Sequence, residues 1–170
     1  MTSNQKGIWV FGYGSLIWGT GEVETVERRE GILPGWHREW TWISSKRYGA
    51  PTCSLKRGGQ VKGVFLRLNP TTANQDLEGF RRRENRQTEE TTADIPCPGA
   101  ITHFWTMGSN LEGIPKFKGL CGTELARALA GHARQITRAG PDDVLPTDYM
   151  RRVHEFDPDD AWAAQIVRYL

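Results

Sequence analysis

Residues 8–18 have the sequence IWVFGYGSLIW. It starts as a short run of apolar, strand-forming residues and then breaks at Gly12 and Gly14. Glycine lets the backbone take angles that are closed to other residues and leaves room for a ligand to approach. A strand that ends in such a loop presents backbone N–H groups to a bound anion. We therefore predict a strand over residues 7–12, followed by a loop over residues 13–19 that forms half of an active site.

The bulk properties of the chain favour one cytoplasmic domain spanning residues 1–170. The 22 Lys and Arg residues nearly balance the 20 Asp and Glu residues, which leaves a net charge of +2. The three cysteines form no CxxC pair, which argues against a disulfide framework and against a zinc site. No apolar run reaches membrane-spanning length, and residues 1–6 do not begin a signal peptide, so we expect no membrane partner.

The strongest local excess of charge is a basic cluster within residues 81–86. Phosphate binding usually needs a wider basic surface than this. We therefore expect a solvated helix face and no nucleic-acid partner. The cluster consists of Arg81, Arg82, Arg83 and Arg86, with Glu84 interrupting it.

Tryptophans mark a second strand. Trp36, Trp40 and Trp42 share one parity, which predicts a strand over residues 36–44 with an aromatic face. Before it, residues 20–35 have the pattern of a connection that contains one short strand and ends in a Leu-Pro-Gly turn.

A glycine-rich turn is predicted in the next segment. Residues 52–56 and 61–69 flank the sequence RGGQ at residues 57–60. Two strand-like runs on either side of adjacent glycines are typical of a β-hairpin.

The pattern then changes to that of a helix over residues 73–85. Thr72 with Gln75 has the spacing of a capping box at its start. Leu77, Phe80 and Glu84 share one face, whereas Arg82 and Arg83 are expected to point elsewhere. A carboxylate aimed at the core is either paired structurally or functional, and the pattern leaves both readings open.

The remaining elements complete an α+β fold. Strands come first and helices last, which fits a mixed, largely antiparallel sheet curled into a small barrel with helices outside. We predict a polar loop over residues 86–98, a strand over 101–107, a helix over 123–138, a short helix from residue 146, and a last helix with Asp157 as N-cap.

Common catalytic motifs are missing. The GYGS loop lacks the third glycine of a dinucleotide-binding fingerprint and the Gly-Lys of a P-loop. No serine lies in a G-x-S-x-G elbow. Cys53 and Cys121 have no local histidine partner, so we expect both to be buried structural residues.

Several of these segments resemble the motifs of a known family. The sequence WVFGYGSLIW at residues 9–18 resembles the opening of the γ-glutamylcyclotransferase superfamily, and specifically of its ChaC-type branch. Residues 35–40, residues 59–65 and the helix that ends in Arg83-Glu84 resemble later motifs of that branch. The last fifty residues resemble its helical tail, so the resemblance covers most of the chain.

This resemblance implies a chemistry. Members of the family cyclise the γ-glutamyl group of glutathione or of γ-glutamyl amines to 5-oxoproline, with no metal and no cofactor. The family's general acid/base corresponds to Glu84. The family's substrate-binding loop corresponds to Tyr13, Gly14, Ser15 and Leu16.

The residue chemistry agrees with that assignment. The substrate attacks itself, so one carboxylate can take a proton from the amine and return it to the leaving group. Closing a five-membered ring depends mostly on orientation, which a tight loop supplies. Exposed N–H groups at Gly14, Ser15 and Leu16 suit the α-carboxylate or a developing oxyanion.

The chain departs from the family at two places. A tyrosine that follows the family's glutamate is missing between residues 85 and 99, and a Tyr-Ala-Gly segment is replaced by residues 117–119 (FKG). Both places concern the leaving half of the substrate, so a γ-glutamyl compound other than glutathione is an open alternative. A non-catalytic binding protein on the same fold and an amidohydrolase, in which water replaces the amine, are two further alternatives.

Overall fold

A computed structural model describes residues 7–21, 23–84, 88–94, 100–140 and 143–170. Residues 1–6, Arg86, Cys97, the proline-containing end of the predicted polar loop at residues 95–99, and Pro141 lie outside the described residues.

The predicted α+β class with a mixed, largely antiparallel sheet is confirmed. Within the described residues, five strands form one sheet in the order β2-β3-β1-β5-β4, and they are β1 (Ile8–Gly12), β2 (Thr25–Ser44), β3 (Ala50–Leu68), β4 (Glu89–Ala93) and β5 (Ile101–Thr106). β1 is antiparallel to β3 and parallel to β5, and β4 is antiparallel to β5. The α-helices in this part of the chain are α1 (Ala73–Glu84), α2 (Gly122–Arg134), α3 (Pro146–Phe156) and α4 (Ala161–Val167).

Two predicted turns are wrong, because the glycines concerned lie inside strands. β2 continues through Gly35, whose φ is +83°, where a Leu-Pro-Gly turn was expected. β3 continues through Gly58 and Gly59, with φ of +109° and +67°, where a hairpin was expected. Positive φ in adjacent strand residues is typical of a bulge as well as of a turn. The long hairpin instead joins β2 to β3 through residues 45–49.

Other predicted elements also differ from the structure. The polar loop contains β4, because an edge strand needs no apolar residues. α2 ends at Arg134 rather than at residue 138. Directly after Arg134, the N–H groups of Gln135 and Ile136 donate to carbonyl oxygens three residues earlier, which tightens the chain. The N-cap of α4 is Asp160 rather than Asp157: its Oδ1 accepts from the N–H groups of Trp162 and Ala163, both at 3.0 Å.

The chain divides into two compact units. Unit 1 comprises residues 1–36 and 57–106, and unit 2 comprises residues 37–56 and 107–170. The core of unit 1 is aromatic: the rings of Phe11 and Phe65 lie 4.8 Å apart, and Phe80 stacks on Trp105 at 6.1 Å. The single-domain assignment stays a prediction.

Unit 2 is built around helices α2, α3 and α4. Its core combines small alanines of α2 with Leu129, Met150 and Ile166, which are fully buried. The ring of Trp40, from β2, meets Tyr149 edge-on at 5.6 Å. Trp40 of the predicted aromatic face is therefore buried in this core.

A buried cation lies in this core. Arg38 has no exposed side-chain surface, and its Nη1 lies 2.6 Å from Asp160 Oδ2 and 3.2 Å from Asp157 Oδ2. Burial acts to lower the pKa of Arg38, but Cys53, Asp160 and Asp157 act in the opposite direction and the net shift is upward. Asp160 thus caps α4 with one oxygen and neutralises Arg38 with the other.

The two described cysteines have different environments. Cys53 is buried with its Sγ 3.5 Å from the Tyr149 hydroxyl, and burial raises the pKa of its thiol, which fits the predicted structural role. Cys121 is exposed, so the prediction that it is buried is wrong: it lies one residue before α2, at the surface. None of the helices in the described part of the chain combines the length and the apolarity needed to cross a bilayer.

Candidate active site

The predicted binding loop folds back on itself directly after β1. Residues Ser15–Ile17 form a 3₁₀ turn whose first hydrogen bond runs from the Ile17 N–H to the Gly14 carbonyl at 3.0 Å. The N–H groups of Ser15 and Leu16 precede that bond, so they have no partner within the turn. The Leu16 side chain is buried and anchors the turn. The predicted position therefore carries two adjacent amide donors that the turn itself does not use.

Glycine at position 12 allows this close return of the chain. A Cβ placed on Gly12 would lie 2.5 Å from Leu16 Cβ and 3.3 Å from the Leu16 carbonyl carbon. On the facing strand, a Cβ on Gly63 would lie 2.4 Å from the Gly12 carbonyl oxygen. The separations of 2.5 Å at Gly12 and 2.4 Å at Gly63 are shorter than non-bonded atoms can approach, so only glycine fits at either position.

We expect the Gly12→Ala substitution to displace the loop. Because the clash involves backbone and Cβ atoms rather than a flexible side-chain end, the free energy of unfolding should fall by about 1–3 kcal/mol. Urea denaturation measures this. Gly19→Ala is the matched control, because a Cβ there meets no atom within 4 Å and should cause no loss of stability. Equal stability of the two variants would contradict the role assigned to Gly12.

Tyr13 ties the loop to β5 in the same unit. Its hydroxyl donates a hydrogen bond to the Trp105 carbonyl at 2.5 Å, and its ring lies 6.5 Å from that of Phe11 in a stacked arrangement. Its side chain remains half-buried. In this structure the hydroxyl of Tyr13 therefore fixes the position of the loop.

Glu84 is the last residue of α1. Leu77 and Phe80, which precede it on the predicted inward stripe, are buried as expected. The Glu84 side chain keeps 23% of its surface exposed, so it lies at the edge of the core with part of its surface in contact with solvent. The Thr88 hydroxyl donates to the Glu84 carbonyl at 3.1 Å and closes the end of the helix.

Arg83 joins Glu84 to the loop, which corrects the prediction that Arg83 points elsewhere. Its Nη1 lies 3.4 Å from Ser15 Oγ and 3.4 Å from Glu84 Oε1. Its Nη2 lies 3.4 Å from Ser15 Oγ and 3.3 Å from the Gly19 carbonyl oxygen. The side chain of an arginine is long and flexible, so helical spacing does not predict which groups its guanidinium contacts. The structure thus brings Ser15 and Glu84 to the same cation.

Sequence reasoning missed two arginines at this site. Arg83 carried a signal, since it precedes the glutamate in the motif that resembles the family's helix. Arg28 carried none: it lies on β2, and its Nη2 donates to the Ile17 carbonyl at 3.1 Å. Both guanidiniums bind the loop through carbonyl or hydroxyl oxygens.

A groove lies at the opposite end of α1. Its volume is about 530 Å³, and it is lined by Gly7, Ile8 and residues 70–75. It borders none of the five predicted site residues.

Among the described residues, no three His, Cys, Asp or Glu side chains converge as a metal site would require. The expectation of no metal and no cofactor stays a prediction.

A family model described as "ChaC-like protein" matches residues 8–97, which is more than half of the chain and includes both the loop and Glu84. The chain belongs to the ChaC-like family. The recognition made from the loop motif is therefore confirmed.

One curated relative supports the same assignment. The glutathione-specific γ-glutamylcyclotransferase of Escherichia coli (strain K12) is 37% identical in an 82-residue alignment that covers 45% of this chain. The match spans only 35% of that relative's own length.

Solved structures support the fold. The crystal structure of a γ-glutamyl cyclotransferase specific to glutathione from yeast matches with a TM-score of 0.68 at 16% identity, covering 96% of this chain and 97% of the other. Its selenomethionine-labelled form matches with a TM-score of 0.64 over the same shares. At this identity the likeness concerns the fold alone.

Proposed function

We propose that this ChaC-like protein is a cofactor-free γ-glutamylcyclotransferase, in which Glu84 is the general acid/base and residues 13–16 hold the γ-glutamyl group. The observation that carries the proposal is the shared guanidinium of Arg83, which lies 3.4 Å from both Ser15 Oγ and Glu84 Oε1. A binding loop and a carboxylate at one place are the two parts that this reaction needs.

The reaction needs no external nucleophile. Glu84 takes a proton from the substrate's α-ammonium group, and the amine nitrogen then attacks the γ-carbonyl carbon. A new C–N bond closes the five-membered ring, and the original amide C–N bond breaks as Glu84 delivers the first proton to the departing nitrogen. The second proton of the ring nitrogen then passes through Glu84 to the released amine, which leaves as an ammonium group. Water is neither consumed nor formed, and one carboxylate performs both transfers.

The loop supplies orientation and charge stabilisation. The N–H groups of Ser15 and Leu16, which lack partners within the turn, suit the substrate's α-carboxylate or the oxygen that becomes negative during attack. Tyr13 and Gly14 directly precede these donors in the loop, and Tyr13 is held in place by its hydrogen bond to Trp105. Holding amine and carbonyl at bonding distance supplies most of the advantage in such ring closures.

The substrate is a small γ-glutamyl compound, and glutathione is the first candidate because the relatives above are glutathione-specific by name. The leaving half of the substrate is less constrained. Phe117, which stands where the family has a tyrosine, is buried and meets His132 edge-on at 5.4 Å, so its ring belongs to the core of unit 2. A cytoplasmic location would provide such substrates.

A 5-oxoproline assay tests the proposal. The purified chain is given glutathione, γ-glutamyl amino acids and γ-glutamyl amines in turn, and 5-oxoproline is measured together with the free amine. We expect equal amounts of both products from at least one class. Release of glutamate instead of 5-oxoproline would indicate hydrolysis, and saturable binding without turnover would indicate a binding protein; either result would overturn the proposal.

A further inference from the structure

We infer that Arg83 is a positioning residue of this site: it makes the Ser15 hydroxyl a hydrogen-bond donor to the ligand and holds Glu84 beside that hydroxyl. This inference rests on the proposed function and adds to it the residue that couples the loop to the acid.

The guanidinium of Arg83 contacts one loop oxygen with two of its nitrogens. Both terminal nitrogens lie 3.4 Å from the same oxygen, Ser15 Oγ. Nη2 also donates to the Gly19 carbonyl at 3.3 Å. The guanidinium therefore contacts the loop both at Ser15 and at its last residue, Gly19. Only 22% of the Arg83 side chain is exposed. By contrast, the neighbouring Arg82 is exposed.

The chemistry of arginine fixes the direction of the bond to serine. A guanidinium carries only donors, so Ser15 Oγ must accept from it. The hydroxyl proton of Ser15 then points away from Arg83 and remains available to donate. With the N–H groups of Ser15 and Leu16, it provides a third donor for one carboxylate or oxyanion of the ligand.

The same guanidinium determines where Glu84 lies. Neighbouring residues in a helix do not face each other, so Arg83 reaches Glu84 only because its side chain curls back to the loop. A planar guanidinium can contact Ser15 and Glu84 together, which the single ammonium of a lysine does poorly. A lysine at position 83 would therefore keep the charge and lose the coupling.

Arg83→Lys separates charge from geometry. In 5-oxoproline assays we expect KM to rise about tenfold with a smaller fall in kcat, since the lost interaction is a hydrogen bond that orients a ligand-binding hydroxyl. Ser15→Ala should raise KM by a similar factor. Arg83→Lys should then add little in the Ser15→Ala background, because its effect on binding passes through that hydroxyl. Arg82→Lys is the matched control and should leave both constants unchanged.

A binding measurement distinguishes failure of this inference from failure of the proposed function. Glutathione and γ-glutamylalanine are titrated calorimetrically into the wild-type chain and the Arg83→Lys variant. Unchanged KM and unchanged affinity in Arg83→Lys, with wild-type turnover intact, would overturn the inference alone. Affinity weakened about tenfold by Arg83→Lys in a chain that does not turn over would support the positioning role and overturn cyclisation. No binding of either probe and no turnover would overturn both.

Discussion

Glu84→Gln is expected to lower kcat for 5-oxoproline release by at least about 100-fold while leaving the fold intact. The amide has nearly the shape of the carboxylate and can keep a hydrogen bond to Arg83, but it can neither accept the ammonium proton nor return one to the leaving amine. Because the two side chains have nearly the same volume, the change removes no packing, although only about a quarter of the Glu84 side chain is exposed. Single-turnover and steady-state assays on the same substrate measure the loss.

A second glutamate on the same helix provides the control. Glu78 lies on α1 at the surface, where its carboxylate pairs with Arg81. Glu78→Gln removes the same charge from the same helix, and surface pairs of this kind contribute little to stability. We expect it to retain wild-type turnover. If Glu84→Gln were as active as Glu78→Gln, Glu84 would not be the acid/base.

Local patterns predicted the elements that contain the candidate site. The strand that ends at Gly12, the helix over Ala73–Glu84 and its buried stripe of Leu77 and Phe80 all followed from periodicity and glycine placement. Their proximity in the fold did not follow from periodicity. It depends on β1 pairing with strands β3 and β5, from other parts of the chain, and only the family resemblance indicated it.

The wrong predictions of a turn and of a helix N-cap arise where one residue type is compatible with two local structures. Gly58 and Gly59 suit a turn and a bulge equally well, and pairing with other strands decides between them. Asp157 and Asp160 both precede α4, and both can cap a helix. Asp160 takes the cap because its Oδ1 reaches two N–H groups, and both carboxylates also face the buried Arg38.

The alternation along β2 indicates that Arg38 is buried, but it does not indicate which carboxylates neutralise it. The alternation that places Trp40 in the core also places Arg38 there, two residues earlier on β2. A buried arginine is tolerable only with carboxylates to neutralise it, and those come from positions 119 and 122 residues further along the chain. Pairings over such separations are not visible in local patterns.

Removing this cation is the second large effect that we expect. Arg38→Ala should lower the free energy of unfolding by about 3–5 kcal/mol, because it leaves two nearly buried carboxylates without their cation. Urea denaturation followed by circular dichroism measures the change. Arg151→Ala is the matched control in the same unit, since Arg151 pairs with Asp148 at the surface and its loss should change stability by less than about 1 kcal/mol.

If the loss of stability comes from buried charge, substitution of Asp157 should have opposite effects in the presence and in the absence of Arg38. Asp157→Asn alone should destabilise the chain, since it removes one carboxylate from the cation. In the Arg38→Ala background the same substitution should restore part of the lost stability, because it removes an unneutralised buried charge. Asp160 is unsuitable for this cycle, since its other oxygen caps α4. If Asp157→Asn destabilised both backgrounds equally, the cost of Arg38→Ala would come from lost packing of the arginine stem, and the ion cluster would not be what holds β2 to α3.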